Sequence, residues 1–404
     1  MNCKRIIAAL LCAAIPFGIA DLSSAAPIAL YAEAATVTAG GTCGKNLTWQ
    51  LDSSGTLTVS GTGNMDEALD RTPCPWKDLK DDIKKVVIGK GVTSIGMGMF
   101  SYCNNLTSLS LPSTLKNIDT YSFVGCKSLE AVVIPNGVTN IGSSAFLRCE
   151  KLSSITIPKS VTYIGALAFL DTPWFESQKS IDDPFIIING LLVYVDYDLS
   201  GDVAIPSSVN KICEQAAERR SKITSLTIPE TVTEIGFNAF LSCSSLKTVT
   251  IPASVKEIKQ QAFYKCESLE EIYILNPECN ICEHWNTTIS NDEEGYSGVI
   301  RGYKGSTAEK YAEKYGYTFK ALAQLGDVNS DDHINAVDAS SVLSYYASIS
   351  TNKDGGFDYV QKLAADVDRS GVINAVDASN ILAYYAFNAT SKDKISFEEY
   401  LENN

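Results

Sequence analysis

The residues best suited to chemistry are oxygen-bearing side chains that occur in the same order twice near the C-terminus. The two segments are Asp327–Asp338 and Asp366–Asp377, and their first residues are 39 positions apart (366 − 327). Asp, Asn or Ser stands at positions 1, 3, 5, 9 and 12 of both segments. Ca²⁺ takes about six to eight oxygen ligands, and a loop with this spacing can wrap them around the ion. The repeated pattern predicts two calcium sites.

Position 7 of each loop would add a backbone carbonyl to the side-chain oxygens. The predicted ligands are Asp327, Asn329, Asp331, His333, Asn335 and Asp338 in the first loop and Asp366, Asp368, Ser370, Val372, Asn374 and Asp377 in the second. The plainer alternative is a pair of solvated acidic turns between helices. That alternative requires the whole ligand set to recur by chance.

Each loop leads into the same predicted helix, Ala336–Ala347 after the first loop and Ala375–Ala386 after the second. Apolar residues three and four positions apart indicate one buried face per helix. The predicted buried residues are Ala339, Val342, Leu343 and Tyr346 in the first helix and Ala378, Ile381, Leu382 and Tyr385 in the second. The positions left outside are Ala336, Val337, Ser340, Ser341 and Ser344, with Ala375, Val376, Ser379, Asn380 and Ala383 as counterparts.

The chain offers no convincing catalytic set. Its two histidines are His333, inside the first loop, and His284, in the sequence Cys-Glu-His-Trp. A dyad of Cys282 and His284 is conceivable, but residues so close in sequence rarely orient as nucleophile and base. Glycoside hydrolysis needs two carboxylates, which 47 acidic residues can supply by coincidence. No phosphate-binding glycine loop and no H-E-x-x-H motif occur, so we predict a protein that is not an enzyme.

The elements before the loops belong to a repeat of 23 residues. Isoleucines follow this spacing at Ile95, Ile118, Ile141 and Ile164, and again at Ile212, Ile235 and Ile258. Each unit contains an L-x-x-L-x-I pattern followed by proline. The alternation predicts a short strand, which proline ends because its nitrogen cannot donate to a ladder. Phenylalanines recur in phase at Phe100, Phe123, Phe146, Phe169, Phe240 and Phe263. A period of about 20–29 residues with this pattern is typical of leucine-rich repeats, whose rungs bury their apolar faces on one another.

Two predicted hairpins accompany the repeat. Leu47–Leu51 and Thr56–Ser60 alternate around a turn and predict a hairpin that caps the first coil. The step from Ile164 to Ile212 is 48 residues, two periods plus two (2 × 23 + 2), so one irregular rung fits there. Phe185–Val195 in that rung contains Asn-Gly, which predicts a β-hairpin that replaces a coil and either stays within the solenoid or projects from it.

The repeat is predicted to end in a helix and a strand. Ser306–Glu309 has the pattern of a capping box, and Ala308, Tyr311, Ala312 and Tyr315 share one face of the following helix. Tyr317–Phe319 is predicted to be a closing strand. About seven residues then lead to the first calcium loop, so the two parts are expected to stay close together.

The cysteines follow the repeat rather than a disulfide framework. Cys103, Cys126 and Cys149 are 23 residues apart, as are Cys243 and Cys266. Equivalent positions of this kind favour small buried hydrophobes, although stacked rungs could bring neighbours within bonding distance. The lone Cys279-Asn-Ile-Cys282 lacks a second pair, which disfavours zinc and leaves local packing or a disulfide.

Composition and the N-terminus indicate a secreted, soluble protein. The net charge of −14 argues against nucleic acid as a partner, because phosphate binding needs clustered cations. Lys4 and Arg5 precede the apolar Ile6–Ala20, and cleavage of this predicted signal peptide would follow Ala25 or Ala34. The apolar run is short and contains proline and glycine, which disfavours a membrane anchor.

The repeated rungs, with their I-P-x-x-V-x-x-I-G-x-x-A-F-x-x-C pattern, resemble the BspA-like leucine-rich-repeat family of bacterial surface proteins. The resemblance covers about Gly41 to Phe319. It implies a solenoid, and it says little about function because such repeats serve adhesion, recognition and spacing.

The C-terminal segment from Gly326 resembles a type I dockerin, the module that joins cellulosomal proteins to cohesins on a scaffold. The resemblance implies two Ca²⁺ ions, one per loop, held by the ligands given above. It also implies that the outside positions around the two loop exits contact cohesin. One position departs from the usual loop, because Asp332 stands where Gly eases a sharp turn and where the second loop has Gly371. Asp adopts left-handed backbone angles more readily than most residues, so the first loop is expected to bind calcium with reduced affinity.

The predicted fold class is mixed and mainly β, a leucine-rich-repeat solenoid with an N-terminal hairpin cap plus a small all-α module of EF-hand type. The predicted segments are a signal peptide at 1–34, the cap at 35–82, the solenoid at 83–319 with an irregular rung at 171–201, a linker at 320–325 and the dockerin at 326–404.

Three functions are compatible with this organisation. The first is a non-catalytic recognition or adhesion subunit of a cell-surface cellulosome that degrades plant polysaccharides, with protein or polysaccharide bound on the outward strand face. That face would contain Thr107, Ser108, Ser110, Thr224, Ser225, Thr227, Lys247, Thr248 and Thr250. The second is an enzyme with an unrecognised site near Pro173–Val195 or Cys279–His284, and the third is a structural spacer.

Overall fold

The computed structural model describes residues 35–68, 74–180, 182–283 and 287–403. The predicted signal peptide and His284 of the conceivable dyad lie outside these residues. Val37–Asn404 forms one unit by Cα proximity, so the repeats and the C-terminal helices belong to the same body.

Each regular rung contributes one longer strand and one two- to four-residue strand to two parallel ladders. The long-strand ladder contains β5 (Lys85–Ile88), β7 (Ser108–Ser110), β9 (Ala131–Val133), β11 (Ser154–Thr156), β15 (Gly201–Ala204), β17 (Ile223–Thr227), β19 (Thr248–Ile251), β21 (Glu271–Ile274), β23 (Val299–Gly302) and β24 (Thr318–Ala321). Its hydrogen bonds form three groups, in which β5 pairs with β7, β9 pairs with β11, and the strands from β15 onward pair in order. The short-strand ladder contains β4 (Gly63–Asn64), β6 (Val92–Ile95), β8 (Asn117–Ile118), β10 (Asn140–Ile141), β12 (Tyr163–Ile164), β16 (Lys211–Ile212), β18 (Glu234–Ile235), β20 (Glu257–Ile258) and β22 (Asn280–Ile281). The predicted solenoid is confirmed.

The repeating phenylalanines form a continuous stack inside the solenoid. Ring centroids are 5.3 Å apart between Phe100 and Phe123, 5.3 Å between Phe123 and Phe146, and 5.9 Å between Phe146 and Phe169. The column breaks where Ala217 occupies the equivalent position, five residues after the rung isoleucine. Stacking aromatic rings in this way buries large apolar areas along the axis of the solenoid.

The repeat cysteines are buried free thiols. Cys126 donates its S–H to the Phe100 carbonyl at 3.1 Å, and Cys149 donates to the Phe123 carbonyl at 3.2 Å. All ten described cysteines are unpaired, including Cys279 and Cys282. The prediction of buried hydrophobes is confirmed, and the disulfide alternative for the lone CxxC is wrong in this structure.

The N-terminal cap is larger than the predicted hairpin. It contains β1 (Val37–Gly44), β2 (Leu47–Asp52) and β3 (Thr56–Gly61) in antiparallel order, and β3 then pairs in parallel with β5. A 3₁₀ helix at Lys77–Asp82 follows. The cap therefore closes the first rung by main-chain pairing as well as by side-chain packing.

The irregular rung contains the predicted hairpin and an additional helix. Helix α1 (Pro173–Gln178) starts at the N-cap Thr172, whose side chain accepts from the Phe175 amide. Strands β13 (Phe185–Ile188) and β14 (Leu191–Val195) are antiparallel, and Asn189 and Gly190 have left-handed φ values of 53° and 81°. Because β14 pairs in parallel with β16, the hairpin is part of the short-strand ladder and does not project from it.

The C-terminal end of the solenoid has the predicted helix and strand. Helix α2 (Thr307–Tyr315) begins at Ser306, whose side chain accepts from the Glu309 amide. The Glu309 carboxylate accepts from the Gly305 amide, one residue before the N-cap, so the predicted capping box is displaced. Strand β24 follows as predicted and extends two residues further, to Ala321.

The C-terminal module contains four helices, α3 (Ala336–Ile349), α4 (Tyr359–Ala365), α5 (Ala375–Thr390) and α6 (Phe397–Glu402). The predicted linker is not free, because Lys320 and Ala321 lie in β24 and Leu325 is buried in the helical core. Among the described residues, no helix combines the length and apolar character needed to cross a membrane.

Candidate calcium loops and partner surfaces

The last aspartate of each loop organises the loop from inside. Asp338 is fully buried, and its Oδ1 accepts from the Val328 amide at 2.8 Å while its Oδ2 accepts from the Asn335 amide at 2.9 Å. In the second loop, Asp377 accepts from the Val367 amide at 2.9 Å and the Asn374 amide at 2.8 Å. The two loops therefore have the same hydrogen-bonded frame.

The asparagine at position 9 of each loop caps the following helix. Asn335 Oδ1 accepts from the Val337 amide and Asn374 Oδ1 from the Val376 amide, both at 2.7 Å. With the aspartate at position 12, each forms a capping box. These side-chain oxygens accept from amides at the helix N-termini, and their role as ligands stays a prediction.

The second loop gathers its carboxylates. Asp366, Asp368 and Asp377 each place one oxygen within 4.8 Å of the others. Asp366 Oδ1 is buried and has no hydrogen-bond partner. Burial raises the pKa of Asp366 and of Asp377, and each pKa is raised further by a neighbouring carboxylate. An orphaned buried oxygen among converging carboxylates is the arrangement that a hard cation fits.

Internal hydrogen bonds occupy the carboxylate oxygens of the first loop. Asp327 accepts from the amides of Asp331 and Asp332 at 3.0 and 2.9 Å. Asp331 Oδ2 accepts from the Asn329 side-chain amide at 2.9 Å. Among the described residues, the group of three acidic ligands suited to a metal is the one in the second loop. The first loop has Asn329 at the position of Asp368, so it brings one carboxylate fewer to this place, and its weaker binding stays a prediction.

The predicted left-handed turn at loop position 6 is present in both loops. Asp332 has φ 65° and Gly371 has φ 80°. Position 4 is also left-handed, with φ 58° at Ser330 and 55° at Arg369. At position 7, the His333 and Val372 carbonyls accept from the side-chain amides of the following asparagines, at 3.2 and 2.9 Å. Asp332 therefore preserves the shape of the loop and places a side chain, which Gly371 lacks, on its exposed surface.

The predicted buried faces of the two long helices are partly wrong. Ala339, Val342, Ala378 and Ile381 are buried as expected. The exposed residues are Leu343 (43%), Tyr346 (39%), Leu382 (41%) and Tyr385 (46%). The core is reached instead by the preceding tyrosines, because Tyr345 stacks on Phe357 at 4.5 Å and Tyr384 donates to the Ile395 carbonyl at 3.0 Å. Phe357 and Ile395, in the segments between the helices, thus contact these tyrosines, and the buried face of each long helix is displaced by about one residue there.

The predicted partner positions around the loop exits are mostly on the surface. Val337 is 56% exposed and Val376 is 53% exposed, at equivalent places in the two halves. Of the other eight positions, Ser341 and Asn380 are half-buried and the remainder are exposed. Next to the first loop exit, a groove of about 500 Å³ runs along α3 and is closed on one side by Gly355 and Phe357.

The predicted recognition face of the long strands is open in part. Thr107, Ser108, Ser110, Thr227 and Lys247 are exposed, whereas Thr224, Ser225, Thr248 and Thr250 are half-buried. Thr224 and Ser225 both donate to the Asp202 carboxylate, at 3.2 and 2.7 Å. Thr250 is covered, because its hydroxyl is 2.9 Å from the hydroxyl of Tyr359 in α4. Including Thr250 in an open recognition face was wrong.

This contact belongs to a joint between the helical module and the last rungs. The Tyr359 ring meets the Tyr273 ring edge to face at 4.8 Å. Tyr273 donates to Glu271 at 2.6 Å, and Glu271 also pairs with Arg301 at 2.8 Å. A cavity of about 630 Å³ beside the joint is lined from both sides, and Asp366 of the second loop is one of its residues. No sequence pattern marked Tyr359, because the joint pairs segments 109 residues apart.

Comparisons with known families agree with the architecture. A family model of the BspA type leucine rich repeat region matches six copies, over residues 79–183 and 197–285. A model of the dockerin type I domain matches residues 325–384. The repeat model covers the regular rungs from β5 to β22, and the gap between its two matches contains the irregular hairpin. The dockerin model covers the two loop–helix pairs as far as Tyr384. No catalytic domain is among these matches.

Three solved structures are similar to parts of the chain. A leucine-rich repeat protein from Eubacterium ventriosum is 22% identical, with 66% of this chain and 86% of that chain covered and a TM-score of 0.36. A leucine rich cell surface protein from Faecalibacterium prausnitzii is 21% identical, with 65% and 95% covered and a TM-score of 0.28. A leucine-rich repeat protein from Bacteroides ovatus is 16% identical, with 69% and 98% covered and a TM-score of 0.23. No curated protein matches the chain.

Proposed function

We propose that this chain, which joins a BspA-type leucine-rich-repeat region to a type I dockerin domain, is a secreted non-catalytic subunit of a cellulosome. The dockerin binds a scaffold cohesin in a calcium-dependent manner, and the repeats recognise or adhere to a target during plant polysaccharide degradation. The observation that carries this proposal is the duplicated loop and helix, with Val337 and Val376 exposed at equivalent loop exits.

Calcium dependence is supported by the chemistry of the second loop. Asp366, Asp368 and Asp377 bring negative charge together, and the free Asp366 Oδ1 lacks any protein donor. Bound Ca²⁺ would neutralise this charge and fix the loop from which α5 starts. We assign one ion to each loop, with tighter binding at the second loop because Asp366 Oδ1 has no donor, whereas Asp327 Oδ1 accepts from the Asp331 amide. In the first loop, Asn329, Asp331 and Asp327 would have to exchange hydrogen bonds for the ion.

The partner surface is proposed on both long helices. It consists of Ala336, Val337, Ser340, Ser341 and Ser344 on α3 and of Ala375, Val376, Ser379, Asn380 and Ala383 on α5. Because the two sets occupy equivalent places, the same cohesin could engage either helix after a rotation of about 180°. Val337→Asp and Val376→Asp should each be tolerated alone, and the double change should abolish binding. Loss of binding with one single change would disprove the two-mode hypothesis.

The test is a pull-down of the full chain against a panel of cohesins, in calcium and in EDTA. Binding is expected in calcium, absent in EDTA, and strongly weakened by Asp366→Ala. Asp393→Ala provides a matched control, because Asp393 is an exposed acidic residue outside both loops. Failure to bind any cohesin in calcium would overturn the proposal, as would equal binding in EDTA.

The absence of enzymatic activity is tested separately. The purified chain should release no reducing sugar from cellulose, xylan or pectin, whereas a dockerin-bearing hydrolase from the same kind of complex would. Sustained turnover by the chain, lost on changing a residue of the irregular rung, would favour the enzyme alternative.

A further inference from the structure

The short-strand ladder is interrupted at one place within its described strands. The strands β4 to β12 form one sheet and β13 to β22 another, and β12 is not hydrogen-bonded to β14. The irregular rung fills the interruption, where the Asn189 side chain in the hairpin turn donates to the Pro158 carbonyl at 2.8 Å. A cleft of about 480 Å³ lies here, within the range of about 300–1,000 Å³ typical of small-molecule sites.

The cleft has an apolar interior and polar margins. Ile164, Leu191 and Ile212 contribute the interior and are at most 4% exposed. Tyr163 stands at one margin and is 38% exposed. Glu214 lines the other margin of the cleft and directly follows Ile212 and Cys213 of the next regular rung.

Glu214 is held across the interruption by donors from earlier rungs. Its Oε1 accepts from the Tyr163 hydroxyl at 2.6 Å, and its Oε2 accepts from the Ser143 hydroxyl at 3.2 Å and from the Ala166 amide at 3.5 Å. Burial raises the pKa of Tyr163, and the Glu214 carboxylate raises it further, so the phenol stays a neutral donor. A carboxylate fixed in this way retains lone pairs that can accept from a ligand.

The charges at the cleft are balanced locally. Lys211 pairs with Glu234 at 3.4 Å, and Lys259 pairs with Glu257 at 2.7 Å. An anionic ligand would therefore compete with Glu234 and Glu257 for the two ammonium groups and would also face the Glu214 carboxylate. A neutral ligand with many hydroxyl groups would find carboxylate acceptors, ammonium donors and the face of the Tyr163 ring without that cost.

We propose that this cleft binds neutral pyranose units of a polysaccharide chain. The proposal rests on the proposed recognition role of the repeats and gives that role a location, on the short-strand ladder and not on the predicted long-strand face. Hydroxyl groups donate to Glu214 and accept from Lys211 or Lys259, and the aliphatic face of the sugar packs on Tyr163. No bond is made or broken in the cleft.

The test is calorimetric titration of the calcium-loaded full chain with cellohexaose and xylohexaose. We expect one of these sugars to bind, and Glu214→Gln to weaken that binding about tenfold, which corresponds to about 1.4 kcal/mol. Tyr163→Ala should abolish it, and the conservative Tyr163→Phe should weaken it partly. Glu150→Gln is the matched control, because Glu150 forms an exposed ion pair with Lys127 away from the cleft. Melting temperatures confirm that each variant is folded.

Two outcomes would overturn the proposal. One is the absence of heat with both hexaoses at millimolar concentration, and the other is unchanged affinity in Glu214→Gln and in both Tyr163 variants. The cohesin pull-down with the same proteins separates this proposal from the proposed function. Cohesin binding without sugar binding rejects the cleft alone, and sugar binding without cohesin binding supports the cleft and rejects the scaffold assignment.

Discussion

Individual side chains show how the solenoid and the loops use polar groups. In the rungs, four buried thiols donate to a carbonyl of the preceding rung, so a potentially reactive group becomes part of the packing; they belong to Cys126, Cys149, Cys243 and Cys266. In the second loop, Asp366 Oδ1 has no partner and indicates ligand binding instead of packing, because a buried oxygen without a donor is costly unless a cation binds it.

Thiol reactivity should separate the buried cysteines from Cys282. Burial raises the pKa of Cys103, Cys213 and Cys243 to about 12, so little thiolate forms near neutral pH. Cys282 is half-buried, unlike the other described cysteines. We expect native iodoacetamide labelling followed by mass spectrometry to modify Cys282 first among Cys43–Cys282. Rapid native labelling of Cys126 or Cys266 would contradict this packing.

Glu271 should make the joint sensitive to acid. Burial alone would raise its pKa, but hydrogen bonds from Tyr273 and Arg301 and the Arg301 charge outweigh burial and lower it. A carboxyl group with a lowered folded-state pKa stabilises the fold above its unfolded pKa, and that contribution disappears as the pH falls through the folded value.

We therefore expect Glu271→Gln to lower the melting temperature at pH 7, with the difference shrinking below about pH 4. Thermal melts across this pH range measure the effect. Glu150→Gln serves as the exposed control, and a difference between Glu271→Gln and the parent that is the same at pH 3 and pH 7 would contradict the assignment.

At the scale of elements, neighbouring rungs are connected by the aromatic column, to which they contribute their phenylalanine rings. Phe146 is fully buried and lies between Phe123 and Phe169. The column stops at Ala217, and Phe169 instead meets Trp174 of α1 at 5.0 Å. The added helix therefore covers the end of the first part of the column, which explains why an irregular rung can interrupt the solenoid.

Removing one ring from the column should destabilise the folded solenoid. Phe146→Ala is expected to lower the free energy of unfolding by about 3–5 kcal/mol, because it removes buried area and leaves a cavity between two rings. Chemical denaturation monitored by circular dichroism measures the change. Val133→Ala is the control, since Val133 is 69% exposed and should change stability by less than about 0.5 kcal/mol. A similar loss in both variants would disprove the role of the column.

At the scale of the whole molecule, the joint decides how the dockerin is presented. Helix α4 lies against β19 and β21 through Tyr359, while the exposed valines of both loop exits lie on other helices. The solenoid can thus be fixed to the dockerin without covering the proposed cohesin surfaces.

Tyr359→Ala should loosen the joint and leave cohesin binding intact. The expected result is faster amide exchange in α4 and β19, and a larger radius of gyration by small-angle scattering. Tyr385→Ala is the matched control, because Tyr385 is a 46% exposed tyrosine on α5 that makes no part of the joint. Unchanged exchange in Tyr359→Ala would show that the contact does not hold the two parts together.

The sequence alone determined the features that depend on local spacing. The 23-residue period placed the strands, prolines and phenylalanines in register, and the twelve-residue spacing identified the loops and the turn at Asp332. These features follow from backbone geometry within one rung or one loop, so a single copy contains the information and each further copy confirms it.

The tertiary structure decided which surfaces meet. It turned Tyr345 and Tyr384 inward where the helical period favoured their neighbours, seated Tyr359 on Thr250, and brought Glu214 to Ser143 across 71 residues. Such contacts depend on the shapes of segments far apart in the chain, and on an irregular rung whose geometry no repeat specifies. The amino-acid pattern fixed what each rung and loop is, and only their packing together determined which faces remain open for a partner.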